Sequence, residues 1–151
     1  MGAYGATSSK AGVNTATTTM WNLWSGGATL YLQTLIVTMP VASTNMPDLY
    51  VVRSTARGTQ STTVAGTMFD PNDNAATGTL DSAWSAAPTV GAVTASMIRL
   101  PLALTAGASF YWTADQLNAI WCRSGAGIAI VNGNASGATT GTFVLTAVWR
   151  E

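Results

Sequence analysis

The chain has 151 residues, of which 48% are hydrophobic and only 8% are charged. Six basic and six acidic side chains cancel to a net charge of zero, so the composition argues against nucleic acid and against anionic membranes as partners. No stretch reaches the roughly 18 apolar residues of a membrane-spanning helix, and the length suits one domain with a substantial core.

The chain begins with a small, polar segment and continues as a series of short strands. Residues 1–16 are rich in Gly, Ala, Ser and Thr, and we expect them to form an extended N-terminal arm that lies across a neighbouring chain. Alternating or β-branched patterns predict ten strands, at residues 17–24, 28–39, 48–54, 61–68, 79–84, 89–99, 109–112, 117–123, 128–132 and 142–150. With almost no helical periodicity, residues 17–151 are predicted to form an all-β domain, an antiparallel, jelly-roll-like β-sandwich.

Two of the predicted strands carry the clearest patterns. Residues 28–39 have apolar side chains on both faces, as a central strand does, and the apolar phase changes near Gln33 and Thr34, which predicts a β-bulge or a twist. Residues 142–150 alternate strictly, so one set of side chains is expected to face the core: Phe143, Leu145, Ala147 and Trp149.

Most catalytic chemistry lacks its usual residues. There is no histidine, which removes the commonest general base and a common metal ligand. The single cysteine, Cys122, has Arg123 beside it to stabilise a thiolate but no base to form one, so we interpret it as a buried structural thiol. The chain is therefore predicted not to be an enzyme and to need no cofactor.

One loop contains a possible cation site. Asp70, Asn72 and Asn74 occupy positions 1, 3 and 5 of a calcium-type loop whose position 12 is Asp81. The loop has alanine where such loops have glycine, and aspartate where they have a bidentate glutamate. These four residues are the metal candidates; the alternatives are that the aspartates cap a turn or, together with Asp73, form a catalytic carboxylate pair.

The sequence resembles a class of viral structural proteins in the style and order of its features. The matching segments are residues 20–24 (Met-Trp-Asn-Leu-Trp), 30–39, 53–59, 69–73 and 148–151. In these it resembles the small β-sandwich virion proteins of tailed bacteriophages, in particular capsid decoration or cement proteins. The resemblance implies a non-enzymatic protein on the capsid exterior that docks on an assembled shell, often as a trimer, and stabilises it. It equally allows a tail or head-fibre component.

The low charge predicts a surface that other chains cover. The expected partners are the major capsid protein and copies of the chain itself, three in the predicted assembly. The interface candidates are Tyr4 and Lys10 in the arm and Arg150 and Glu151 at the other end of the chain. An alternative from another class is a carbohydrate-binding module, which would use exposed members of the six tryptophans and four tyrosines.

Overall fold

The computed structural model describes residues 1–11, 15, 18–115, 117–133 and 139–151. Within them, no helix has the length and apolar character needed to cross a membrane. A single 3-10 turn, Val93–Ala95, interrupts an otherwise all-β chain in this described part. The strands are β1 (Ala3–Ala11), β2 (Thr19–Trp24), β3 (Leu30–Met39), β4 (Asp48–Ala56), β5 (Thr59–Ala65), β6 (Thr67–Met68), β7 (Thr79–Ala86), β8 (Thr89–Val90), β9 (Ile98–Pro101), β10 (Ala108–Thr113), β11 (Ile120–Cys122), β12 (Gly127–Asn132) and β13 (Thr142–Arg150).

These strands form two antiparallel sheets packed face to face, so the predicted all-β sandwich is confirmed. Sheet 1 has the order β10-β3-β13-β1-β6, with β11 also pairing with β3. Sheet 2 has the order β5-β7-β2-β12-β4-β8, with β9 also pairing with β4. The jelly-roll character stays a prediction.

The core lies between the sheets and is built from alternating side chains. Phe143, Leu145, Ala147 and Trp149 of β13 are all buried, as their alternation predicted. From sheet 2, Trp21 and Leu80 enter the same hydrophobic cluster. Because β13 lies between β1 and β3, it has neighbours on both edges and is central in its sheet.

Strand β3 contains the predicted bulge. In its pairing with β13, Val148 lies opposite Thr34 but Trp149 lies opposite Leu32, so Gln33 is an extra residue. Because of this extra residue, Leu32 and Leu35 both point into the core although they are three residues apart in the sequence.

The first strand requires a correction of the predicted arm. Residues 3–11 are extended, but they lie in the chain's own sheet, where β1 pairs with β13 from Ala3 opposite Arg150 to Ala11 opposite Thr142. Tyr4 and Ala6 are buried in the core. A strand of small residues is stable here because β13 supplies the large side chains of the pair. The boundary predicted at residues 16 and 17 lies outside the described residues.

Two predicted strands are divided in the structure. Residues 61–68 split at Gly66 into β5 of sheet 2 and β6 of sheet 1, because the chain crosses there over the ring of Trp149. Residues 89–99 split around the 3-10 turn into β8 and β9, which both pair with β4.

The outer face of sheet 2 is covered by the chain itself. Val52, Ala129 and Val131 are fully or almost fully buried there and form a second small hydrophobic cluster. Val90 of β8 and Val93 of the 3-10 turn pack on them. Sheet 2 is therefore buried on both faces over this region.

Candidate functional site

The outer face of sheet 1 is a flat array in which four strands contribute side chains in register. Successive pairings of β1, β13, β3 and β10 or β11 place outward-facing residues side by side. The four rows are Ser9–Val144–Thr38–Ser109, Thr7–Thr146–Ile36–Tyr111, Gly5–Val148–Thr34–Thr113 and Ala3–Arg150–Tyr31–Trp121. We call this array the threonine face.

The threonine face is nearly uncharged and largely uncovered, with the Phe69 ring lying against it at Gly5. All of its residues are partly or fully exposed, in contrast to the buried outer face of sheet 2. Arg150 is the one charged residue in the four rows. The hydroxyls of Thr7 and Thr146 bond each other at 2.9 Å, which leaves their methyl groups as part of the contact surface. Antiparallel sheets usually carry charged or strongly polar side chains on a wet face, so this surface is unusual for one bathed in water.

Two of the strands that border the sheets also lack charged residues. β10 (Ala108–Thr113) lies at an edge of sheet 1 and β5 (Thr59–Ala65) at an edge of sheet 2, and neither contains a charge or a proline. Soluble proteins commonly place lysine, proline or inward-facing charges on such edges to prevent pairing with other chains. The pairing of β5 with β7 has three register irregularities, and these are the feature that protects the β5 edge from pairing with another chain.

Charged side chains elsewhere are engaged in internal contacts. Among the described residues the ion pairs are Arg57–Asp81, at 2.8 Å, and Arg99–Asp48, at 2.7 Å. Lys10 Nζ donates to the carbonyl oxygen of Ser82 at 2.6 Å, and burial lowers the Lys10 pKa. These contacts reduce the number of free charged groups on a surface that has few charged residues.

A small groove lies where β11 of sheet 1 meets β4 of sheet 2. It has a volume of about 270 Å³, and Arg53, Trp121, Arg123 and the buried Cys122 line it. The Trp121 side chain is 47% exposed, whereas Trp21 and Trp149 are completely buried. We call this the Trp121 groove.

Arginines surround the exposed indole. An Nη1 hydrogen of Arg53 is donated to the Trp121 carbonyl oxygen, and the Arg123 guanidinium carbon lies 5.9 Å from the Trp121 ring centre, within cation–π range. Tyr31 separates Trp121 from Arg150 in the last row of the threonine face. Three of the chain's six basic residues therefore gather at this end of the sandwich.

Cys122 lies beside this groove but is not activated. Burial raises the pKa of its thiol to about 11, which outweighs the opposing effect of the nearby Arg53 charge. The neighbouring cation that acts on the thiol is thus Arg53, not Arg123 as the sequence suggested. At neutral pH the group is a protonated thiol, and its Sγ lies 3.7 Å from the Ala126 carbonyl oxygen. The interpretation of Cys122 as a buried structural thiol is confirmed.

Two predicted interface residues, Tyr4 and Glu151, are brought together by the pairing of β1 with β13, but they serve internal contacts. Tyr4 is 3% exposed, its hydroxyl donates to the Asn74 carbonyl oxygen at 2.8 Å, and its ring centre is 6.3 Å from that of Trp149. Glu151 Oε1 accepts the Trp149 indole N–H at 2.9 Å. Tyr4 therefore contributes to the core and is not an exposed anchor.

Glu151 also fixes the loop after β6. Its carboxylate accepts the backbone N–H of Thr77 at 2.8 Å and that of Gly78 at 2.6 Å. Burial by itself raises the pKa of Glu151, but these N–H groups, the Thr77 hydroxyl and the indole N–H of Trp149 outweigh it, so the pKa lies below its ordinary value.

The other two predicted interface residues differ in position. Lys10 points between the sheets, with its Nζ 5.6 Å from the Trp84 ring centre. Arg150 points outward and lies on the threonine face, partly exposed. Of the four candidates, Arg150 is the one placed on the open face.

The predicted cation ligands are placed in different surroundings. Asp70 Oδ1 accepts the backbone and side-chain N–H groups of Asn72 at 2.9 and 3.1 Å, which is the turn-capping alternative. Asn74 contributes its carbonyl oxygen to Tyr4. Asp81 lies in β7 and binds Arg57 through both carboxylate oxygens. In the described part of the chain, no three acidic or thiol side chains are grouped to hold a metal ion.

Comparison of the chain with protein-family models, with curated proteins and with solved structures finds no match. The threonine face and the Trp121 groove are therefore assigned on geometry alone. Sequence reasoning missed both, although the alternation of Thr and Val with buried residues along β13 was a signal for the first.

Proposed function

We propose that the chain is a structural virion protein of the capsid decoration type, which binds the exterior of an assembled shell through the threonine face. The observation that carries the proposal is that sheet 1 leaves a nearly uncharged outer face largely exposed, while sheet 2 covers its outer face around β4 and β12. The resemblance of the sequence to phage decoration proteins supports the viral setting. The expected partner on the shell is the major capsid protein.

The size of the threonine face supports binding in several copies. Four strands about 4.8 Å apart and four rows about 6.8 Å apart give a flat area of roughly 500 Å². Counting both partners, this is about 1,000 Å², the lower limit for a specific interface. A single copy would bind weakly, so we propose that several faces engage together in a trimer, where the effective concentration strengthens each contact.

Uncharged sheet edges support contacts between copies. β10 forms one of these edges and carries the exposed Tyr111, while Phe110 and Trp112 pack partly buried against the core. Exposed tyrosines are common anchors of protein interfaces. In the proposed assembly this edge meets a second copy while the face meets the shell.

Cosedimentation with purified shells tests the proposal. Ile36 and Thr146 are neighbours in one row of the face, so the double variant Ile36→Lys, Thr146→Lys places two like charges at its centre. The matched control is Ser61→Lys, Thr62→Lys on the exposed β5. Shells assembled from a purified phage major capsid protein are titrated with each variant, and bound copies are counted.

We expect wild type and the β5 variant to saturate the shells at the same concentration, and the face variant to need at least about tenfold more, since buried like charges cost several kcal/mol. Far-ultraviolet circular dichroism checks that both variants are folded. If the face variant binds like wild type, or if wild type does not sediment with shells, the proposal is wrong.

A carbohydrate-binding module is the second candidate function, and the exposure of Trp121 favours it. A flat, half-exposed indole beside a groove is a platform on which the apolar side of a sugar ring can stack. Retained shell binding with loss of sugar binding in Trp121→Ala would show that the two functions use separate surfaces.

A further inference from the structure

We infer that the Trp121 groove binds an acidic sugar unit, with the ring on Trp121 and the carboxylate held by arginine. The inference rests on the second candidate function, carbohydrate binding, and specifies its ligand. It is independent of shell docking.

The charges around the groove point to an anionic ligand. Arg53 and Arg123 line it, and Arg150 lies two positions from Trp121 in the same row of the threonine face. The ion pairs among the described residues involve Arg57 and Arg99, so these three arginines have no carboxylate partner in the described part of the chain. In a protein of zero net charge, three such cations at one site favour an anion.

The shape of the groove favours a single ring over a peptide. Its volume of about 270 Å³ is below the range for drug-sized ligands, so it accommodates one small group. A peptide strand would need an open sheet edge here; β8 and β9 already pair with the outer edge of β4, and on the open edge of β11 the Trp121 carbonyl oxygen already accepts a hydrogen bond from Arg53. The walls apart from the arginines are largely apolar, and the exposed indole supplies a flat surface.

The rigidity of the groove suits recognition. Arg53 bridges the two sheets through the Trp121 carbonyl oxygen, which fixes its guanidinium beside the indole. Arg123 is positioned by its contact with the ring. Arginine binds carboxylates through paired N–H groups, so a ligand carboxylate at the rim would find donors already in place.

Titration with a matched pair of sugars tests the inference. Methyl β-glucuronide and methyl β-glucoside differ in the carboxylate alone, and binding is followed by isothermal titration and by NMR of the indole N–H groups. For a ligand of this size we expect a Kd of about 1 mM for the glucuronide and at least about tenfold weaker binding of the glucoside. Trp121→Ala should abolish binding, and Arg123→Gln should weaken it about tenfold.

Two variants serve as controls, and two probes identify other ligands. Tyr111→Ala removes an exposed aromatic of the same face, and Arg99→Gln removes an exposed guanidinium elsewhere; both should bind like wild type.

Equal affinity for the two sugars would overturn the acidic-sugar inference and leave carbohydrate binding intact. No binding of either sugar at 20 mM would overturn both. Tighter binding of an acidic hexapeptide or of acetate at Trp121 would likewise overturn the inference.

Discussion

Asp81 is completely buried, and both of its carboxylate oxygens accept hydrogen bonds of 2.8 Å from Arg57, whose side chain is 26% exposed. The Thr63 hydroxyl donates a further bond of 2.5 Å to Asp81. These contacts tie the β4–β5 turn to β7, next to the edge strand of sheet 2. A carboxylate in such a position is stable because its charge is fully matched by donors.

The variant Asp81→Asn should therefore destabilise the fold strongly. It keeps the shape but leaves the Arg57 charge without its partner, and we expect the free energy of unfolding to fall by roughly 2–3 kcal/mol, less than for a fully buried pair because Arg57 is partly exposed. Asp48→Asn is the control, since its partner Arg99 is 63% exposed and the loss should be at most about 1 kcal/mol. Urea denaturation measures both, and equal losses would contradict the assignment.

Replacement of Gly66 tests the crossing between the sheets. A Cβ atom at this position would lie 2.5 Å from Trp149 Cζ2 and 2.9 Å from the Cβ of Ala76. Because Trp149 is fully buried and cannot move away, Gly66→Ala should cost roughly 1–3 kcal/mol. Gly91→Ala, whose nearest neighbour would be 3.6 Å away, should change stability by less than about 0.5 kcal/mol. Similar melting temperatures for the two variants would refute the packing described at Gly66.

Removal of residues 1–11 tests whether these residues are a strand that the domain needs or an arm that it can lose. The truncation deletes β1, opens the edge of β13 and exposes the core side chains that Tyr4 and Ala6 cover. We expect loss of cooperative thermal unfolding. Removal of Met1 alone, which is 70% exposed, is the control and should leave the melting temperature unchanged. A truncated chain that still unfolds cooperatively near the wild-type temperature would show that β1 is dispensable.

The raised pKa of the Cys122 thiol predicts that the fold loses stability in alkaline solution. Its folded pKa, about 11, lies above its ordinary value of 9.0, so the thiol contributes stability that is fully present below about pH 9 and is lost as the pH rises to 11. By pH 11 the wild type should have lost roughly 2 kcal/mol more than Cys122→Ala has lost over the same range. Urea titrations of the two proteins at pH 8 and pH 11 measure this difference. A constant difference between them would contradict the raised pKa.

How much of the fold was predictable depended on side-chain size. β13 alternates inward apolar residues with outward Thr, Val and Arg, and of the predicted bulge or twist near Gln33 the structure has the bulge. β1 was not recognised as a strand of the domain because its inward residues, apart from Tyr4, are small or polar. Its place in the sheet depends on β13, which lies more than 130 residues further along the chain.

The candidate sites are formed by residues that lie far apart in the sequence, so they could be recognised only from the structure. Arg53 and Trp121 are 68 positions apart and lie in different sheets, so no local pattern links them. Thr, Val and Arg alternate with buried residues along β13, but sequence alone could not show that sheet 2 covers its outer face around β4 and β12 while sheet 1 leaves its own exposed. Conversely, Tyr4 was an interface candidate because its neighbours are small and polar, and the structure places it in the core.

Electron cryomicroscopy of particles carrying the chain tests the central claim most directly. We predict that the rows containing Thr7, Thr146 and Ile36 face the capsid surface, with the β10 edge against a second copy. Density in which these rows face solvent while another surface of the sandwich contacts the shell would contradict the account.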